Sequence, residues 1–361
     1  MSDCKITVLK FGGSVLRSEE SLPVTVHEIY RHYRRGSKVL AVVSAFGGTT
    51  DSLLNKTKLF GEIDNPGAVA TLLATGEAAS AALLALALDR AGIPAKVLTP
   101  AQVGIVTTGP ILDGEPIEAN IERISRELES AVVIVSGFAG INEHGDPTLL
   151  GRGGTDYTAL FLANRLGAEC RLLKDVDGLY DANPAISGLR VRRFRSASYE
   201  TVLRFGGELA QAKAVQFAEA NHQRFEIASV LSNYSTLICG SRDVLADECS
   251  EKESRRVKVA LLGCGTVGGG VYERLAEMCD RFEIVGVSNL DPNKALGLGI
   301  GERLIVSDPY ELIERDCDVV VELIGGTDPA RDLIRHSLKL GRHVVTANKA
   351  VRAESGERVS S

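Results

Sequence analysis

The sequence predicts an α/β protein: an open, mostly parallel sheet followed by a second, smaller α/β domain. Three observations lead there. Apolar runs of strand length alternate with longer helical patterns along the whole chain, which is the signature of βαβ units. At 361 residues the chain exceeds what one core usually grows to. The alternation also lapses once, in GSRDVLADECSEKESRR from Gly240 to Arg256, and then resumes with a fresh strand. Residues 1–240 are therefore read as a first domain, 241–255 as a linker and 256–361 as a second domain.

In order, the first-domain strands are predicted at Ile6–Leu9, Val39–Val43, Ala95–Leu98, Val132–Val135, Glu169–Leu173 and Phe225–Ser229. Each is a short apolar run bounded by turn residues, and amphipathic or apolar helical patterns separate them. The second domain starts with Val257–Leu262 and continues with Glu283–Val287.

Composition narrows the function classes. An apolar fraction of 44% is ample for burial, and a formal charge of −6 with both signs interspersed offers no basic face to nucleic acid and no polybasic run to a membrane. The most apolar stretch, Ala78–Leu88, is too short to span a bilayer and is flanked by Glu77 and Asp89. The first residues enter a strand pattern without a signal-peptide pattern, so a cytoplasmic protein is expected. Seven cysteines and six histidines show no metal spacing and no disulfide framework, so no structural metal is expected.

The stretch Gly151-Arg-Gly-Gly-Thr-Asp-Tyr-Thr-Ala159 combines close-approach glycines, a cation, hydroxyls and a carboxylate at the start of a helical pattern. That combination suits an anionic ligand facing free helix N–H groups, and it also suits a plain glycine turn with a helix cap. Upstream, Lys10-Phe-Gly-Gly-Ser14 closes the first strand with a glycine pair and a lysine. It reads either as a phosphate cradle or as a common strand–turn, and it lacks Walker A spacing. Val43-Ser-Ala-Phe-Gly-Gly-Thr-Thr-Asp51 brings Ser44, Thr49 and Thr50 to the carboxyl edge of the sheet, where open α/β proteins place ligands. In Thr75-Gly-Glu-Ala-Ala-Ser80, Glu77 is read at the head of an apolar helix, either favouring the helix dipole or accepting from a ligand ammonium. Lys174-Asp-Val-Asp-Gly-Leu-Tyr-Asp181 places Asp175 and Asp177 at a strand end, where paired acids suit nucleotide or Mg2+ contacts.

KFGGS, VSAFGGTTDSLL, TGEAAS, GFAG, GRGGTDYTA and KDVDGLYDANP occur in the order found in aspartate kinases of the amino-acid kinase family, which the region Lys5 to Gly240 resembles. The resemblance implies ATP-dependent phosphorylation of the L-aspartate side chain, with Mg2+. Lys10, Gly12, Gly13 and Ser14 would meet the ATP phosphates, and Lys174, Asp175 and Tyr180 would lie near the nucleotide. Ser44, Thr50, Glu77, Arg152 and Thr155 would hold the amino acid, and Asp156 would sit near the transfer site. Two positions depart from the family pattern: Ala185 stands where an arginine is common, and Glu208 where a lysine is usual. Both remove positive charge near the nucleotide unless Arg204, Lys213 or Mg2+ compensates. A degenerate kinase acting as a binding or assembly module is therefore the second expectation, and a kinase for another amino acid the third.

The second domain opens with a strand, then Gly263-Cys-Gly-Thr-Val-Gly268, then a helix starting near Val267. This is the setting a dinucleotide fingerprint requires: Gly263 makes the turn, Gly265 admits the pyrophosphate and Gly268 lets helix and strand pack closely. The following strand ends in Ser288-Asn289 and the first acid is Asp291, so NAD and NADP both remain open. Asp318-Val-Val-Val-Glu-Leu-Ile-Gly-Gly and Gly341-Arg-His-Val-Val-Thr-Ala-Asn-Lys-Ala350 resemble segments of homoserine dehydrogenases. That resemblance implies a Rossmann-type unit in which Thr266, Val267 and Asn289 join the glycines at the cofactor and Lys349 lies near nicotinamide and substrate. The order kinase then dehydrogenase resembles the bifunctional aspartokinase–homoserine dehydrogenases. ACT modules usually lie between those halves and a substrate-binding, dimerising domain follows them; neither is expected here, so the second unit reads as truncated. Both families suggest a homodimer.

Overall fold

The structure, a computed structural model, describes residues 5–61, 64–182, 191–205, 207, 209–240, 242–246, 256–279, 281–289 and 291–351. The chain splits into two compact units, Met1–Glu248 and Cys249–Ser361.

The first unit begins with β1 (Ile6–Phe11), β2 (Lys38–Val43) and β3 (Ala95–Leu98). It continues with β4 (Val106–Thr108), β5 (Glu115–Glu118), β6 (Val132–Ser136), β7 (Ala139–Ile141) and β8 (Pro147–Leu149). Then come β9 (Glu169–Lys174), β10 (Phe194–Ala197), β11 (Phe225–Ser229), β12 (Ser235–Ile238) and β13 (Val244–Leu245). Nine of these form one sheet in the order β13-β10-β12-β11-β9-β1-β2-β6-β3. From β11 to β3 every pairing is parallel. Parallel strands are covered on both faces, so they read as unbroken apolar runs; Val39–Val43 and Val132–Val135 are buried throughout. The helix Gly154–Leu166 packs Leu160 and Phe161 with Val215 and Ala218 on one face. Leu22–Tyr33 and Pro66–Arg90 cover the other with Ile29, Ala81, Leu84 and Leu88.

This strand order fixes where a ligand can sit. After β1 the chain lays β2, β3 and β6 on one side, whereas β9 and β11 lie on the other. The order reverses between β1 and β9, and such a switch point opens a crevice at the carboxyl ends of the strands. The lysines Lys10 and Lys174 stand near those two ends.

The six first-domain strands predicted from sequence are present, with ends shifted by no more than two residues. A separate four-stranded sheet, β5-β4-β7-β8, was not predicted. Its strands are three or four residues long, too short to show alternation. The hairpin β11–β12, the strand β10 and the edge strand β13 were also missed. The largest correction concerns Glu77. Its helix is not Ala78–Leu88 but Pro66–Arg90, starting at Pro66 after Asn65, whose Oδ1 accepts the Ala68 N–H at 3.0 Å. Glu77 is therefore mid-helix, and the helix-dipole reading fails. By length and composition this 25-residue helix would also suffice to cross a membrane. In the fold its Ala81, Leu84 and Leu88 lie in the core beside β2 and β6.

The second unit holds β14 (Val257–Leu262), β15 (Phe282–Ser288), β16 (Val319–Glu322) and β17 (His343–Thr346). They form an all-parallel sheet in the order β15-β14-β16-β17, with a switch point between β14 and β16. The helix predicted near Val267 runs Thr266–Glu277.

Candidate functional site

At the β1/β9 crevice, three charged side chains close on one another in almost complete burial. Lys10 lies within β1 rather than at its end, and its Nζ is 2.7 Å from Asp156 Oδ1. Lys174, the last residue of β9, places Nζ 3.1 Å from Asp156 Oδ2 and 3.3 Å from Oδ1. Lys10, Asp156 and Lys174 are only 4%, 3% and 8% exposed. Asp156 stands in the first turn of the helix Gly154–Leu166, where unpaired N–H groups favour a carboxylate. Burial disfavours its ionised form, but Lys10 and Lys174 outweigh that and hold the carboxyl below its ordinary range. Lys174 is pulled down to about 8, first by burial and then by the Lys10 ammonium, with Asp156 opposing both. Two cations on one anion leave the pocket positive. Such a buried network adds little net stability, so its worth lies in fixed charge.

The turn after β1 wraps this cluster. The amides of Val15 and Leu16 both donate to Gly12 O, at 2.9 and 2.8 Å. A Cβ on Gly12 would lie 2.6 Å from Lys10 Nζ, so glycine leaves room for the ammonium where it stands. Gly13 is half-buried and Ser14 is exposed.

A second feature lies at the end of β2. Glu77 is 3% exposed, and its Oε1 accepts the Ala45 N–H at 3.2 Å. Its Oε2 is buried without a hydrogen-bond partner among the described residues. Burial pushes this carboxyl up to about 7. An orphaned buried oxygen is costly unless a donor arrives, and a ligand ammonium would supply one. The helix reaches β2 closely because Gly76 faces Ala45 Cβ, which a Cβ there would meet at 2.9 Å. Ser44 and Thr50 are half-buried nearby in sequence, Thr50 in the first turn of the helix Thr49–Thr57.

The glycine loop leads into the helix that carries Asp156. Gly151 and Gly153 have φ of 73° and 76°, the left-handed region that favours glycine, and Arg152 between them is exposed. Thr155 is buried against Gly137, where any Cβ would overlap the Thr155 methyl. The neighbouring Phe138 N–H donates to Thr158 Oγ1 at 3.1 Å, so GFAG seats the helix start.

Asp175 is exposed at the end of β9, 4.0 Å from Arg17 across an open ion pair. Tyr180 donates to Asp177 Oδ1 at 2.8 Å. Lys213, one of the two expected compensating cations, is engaged by Asp113 Oδ1 at 2.9 Å, and Arg204 lies over the Phe205 ring. Ala185 and Glu208 lie outside the described residues. No group of three or more metal-ligating side chains occurs among the described residues.

In the second unit the site is made of backbone and space. A Cβ on Gly268 would overlap Gly263 O, and one on Gly263 would come within 2.9 Å of Leu323 O, whereas Gly265 has open space beside it. Gly268 thus permits close helix–strand packing, and the space beside Gly265 leaves room for a ligand. Thr266 opens the helix and Val267 is 61% exposed at its start. Asn289 Oδ1 accepts the Cys264 N–H at 3.4 Å and its Nδ2 donates to Asp291 O at 2.8 Å, bracing the turn. Lys349 is exposed, directly after Asn348, whose Nδ2 donates to Ile324 O at 2.9 Å and Gly326 O at 2.6 Å. Sequence reasoning missed Glu322, which is fully buried and accepts from Ile324 N–H and the Thr346 hydroxyl. An acid inside an apolar strand was the available signal.

Residues 5–229 match the family model described as Amino acid kinase family, and residues 263–360 match that described as Homoserine dehydrogenase, NAD binding domain. An aspartokinase from Geobacillus stearothermophilus is 36% identical over 233 residues, covering 63% of this chain and 57% of that one. An aspartokinase from Corynebacterium glutamicum is 33% identical over 297 residues, covering 78% and 70%. Among solved structures, aspartate kinase from Synechocystis superposes with a TM-score of 0.58 at 31% identity, over 67% of this chain and 42% of that one. E. coli aspartokinase III in complex with aspartate and ADP gives 0.55 at 21% identity over 66% and 65%, a likeness of fold. The chain spans 57%, 53% and 63% of the first three curated relatives.

Proposed function

The chain belongs to the amino acid kinase family, and from that premise we propose that its first unit transfers the γ-phosphoryl group of ATP to the side-chain carboxylate of L-aspartate. One observation carries this reading: a buried positive pocket of Lys10, Asp156 and Lys174 lies in the same switch-point unit as a buried glutamate oxygen that has no partner among the described residues.

A β-carboxylate is already ionised at neutral pH, so its oxygen attacks the γ-phosphorus without a general base. A new O–P bond forms, the bridging P–O bond to the β-phosphate breaks, and ADP leaves with that electron pair. What the enzyme must supply is alignment and charge neutralisation. Lys10 and Lys174 face the phosphate oxygens, and Asp156, with both oxygens occupied by these lysines, positions them. The amides of Gly12, Gly13 and Ser14 receive phosphate oxygens, Asp175 and Tyr180 flank the nucleotide, and Mg2+ enters with ATP. Glu77 accepts from the substrate ammonium, Arg152 grips the α-carboxylate through its fork, and Ser44, Thr50 and Thr155 complete the amino-acid site.

The second unit takes a nicotinamide dinucleotide, NADP or NAD, at Gly263, Gly265, Thr266, Val267 and Gly268. Asn289 braces the turn and Lys349 faces the nicotinamide end. The bound cofactor supplies hydride chemistry. We place the chain in aspartate-derived amino-acid biosynthesis in the cytoplasm, as a homodimer.

The test is ATP-dependent aspartyl hydroxamate formation by Lys10→Ala. In a folded variant, judged by an unchanged circular dichroism spectrum, the rate falls on the order of 10^3-fold. Retention of most of the rate removes Lys10 from the mechanism.

A further inference from the structure

The glycine loop is covered from outside by two side chains of a distant helix start and hairpin. A Cβ on Gly151 would overlap Asp113 Oδ1, and one on Gly153 would overlap Gln211 Cγ. Both glycines therefore serve twice: they turn left-handed, and they let these side chains lie directly on the backbone either side of Arg152. Asp113 is in turn pinned by Lys213, whose Nζ lies 2.9 Å from its Oδ1 and 3.3 Å from its carbonyl, and donates to Gly114 O at 2.9 Å. Lys213 also lies over the Tyr157 ring, 5.8 Å from its centre, one residue after Asp156. Gln211 and Lys213 belong to the first turn of one helix, Ala212–Ala220, with Gln211 at its N-cap. Gly114 N–H donates to Leu149 O at 2.7 Å, so the Asp113 turn is also tied to the strand that leads into the loop.

We propose that Asp113 and Lys213 form a latch that holds the Arg152 loop in its substrate-binding shape, making them positioning residues for amino-acid binding. This rests on the reading of Arg152 as the α-carboxylate ligand. An exposed ion pair by itself is weak. Here the lysine also donates to two backbone carbonyls, and a charged donor adds strength to each of those bonds. Losing the latch frees the loop while leaving Lys10, Asp156 and Lys174 in place, so the amino-acid KM should respond and kcat should not. The Lys213 ammonium is committed to Asp113 and Gly114.

The test compares Lys213→Met and Asp113→Asn with wild type in two readouts. Hydrogen exchange of the amides of residues 151–154 should quicken about tenfold, because the local opening loses a charge-assisted contact. KM for L-aspartate should rise about tenfold with kcat and KM for ATP within about twofold, and Lys213→Arg should restore most of the loss. Unchanged exchange at 151–154, an unchanged aspartate KM, or equal losses in all three kinetic constants overturns the latch. If wild type turns over no aspartate, the functional reading fails on its own, and the exchange measurement still decides whether the latch exists.

Discussion

On the proposed function, the two units recognise phosphorylated ligands in opposite ways. In the first, the crevice at the β1/β9 switch point is loaded with fixed charge: three ionised groups at 4%, 3% and 8% exposure, two of them cationic. In the second, the crevice at the β14 end holds no charged side chain in the glycine turn itself, only close backbone packing at Gly263 and Gly268 and open space at Gly265. The difference follows the task. A site that stabilises charge moving between oxygens needs preorganised charge, whereas a site that holds a cofactor needs backbone amides and room for a pyrophosphate.

That contrast can be broken by substitution, beginning with its largest expected effect. Asp156→Asn leaves two lysine ammoniums facing one another without their shared anion. The expected fall in kcat is about 10^2-fold, with dinucleotide binding untouched; steady-state kinetics beside NADPH fluorescence titration would show it. In the second unit, Gly268→Ala forces a methyl onto Gly263 O, so dinucleotide binding should be lost while hydroxamate formation stays within about twofold. An unaltered titration curve would mean that close packing at Gly268 is not what shapes that turn.

A smaller effect sharpens the electrostatic side. Glu77 titrates near 7 and Lys174 near 8, in both cases chiefly because of burial. On the proposed assignment, aspartate binding uses ionised Glu77 and phosphoryl transfer uses charged Lys174, so kcat/KM should rise with pH through about 7 and fall above about 8. Glu77→Gln should remove the acid limb and raise KM for aspartate about tenfold. The same group gives a stability signature. Its folded pKa is raised, so the folded state is favoured below the unfolded pKa of 4.5 and loses that advantage as pH rises through about 7. Glu77→Gln should therefore stabilise the ligand-free protein at pH 8 by about 1–3 kcal/mol and much less at pH 4, measurable by denaturant melts. The mildest change is Gly265→Ala, which meets open space; it should weaken dinucleotide binding by about fivefold with no shift in Tm.

Much of this was legible in the sequence, and the reasons differ between regions. The buried parallel strands announced themselves as unbroken apolar runs, and the glycine turns at Gly12, Gly151 and Gly263 marked both crevices. The short strands β4, β7 and β8 did not, because three residues carry no periodicity. The position of Glu77 was misread because the strongly apolar run begins only at Ala78, whereas the helix already passes through Gly76, which packs against Ala45. Lys174 was placed near the nucleotide, but its meeting with Lys10 at a shared Asp156 depends on a pairing of β1 with β9 that local patterns do not specify. The contact of Asp113 with Lys213 spans 100 residues, and no motif signals it.

The most direct test of the central claim is the ATP-dependent hydroxamate assay on the purified chain with L-aspartate, L-glutamate and no amino acid compared. The account predicts turnover with L-aspartate at least about tenfold above L-glutamate, because the proposed Glu77 and Arg152 contacts would fix the spacing from the α-carbon to the reacting carboxylate. Equal rates with both acids, or none with either, would contradict it.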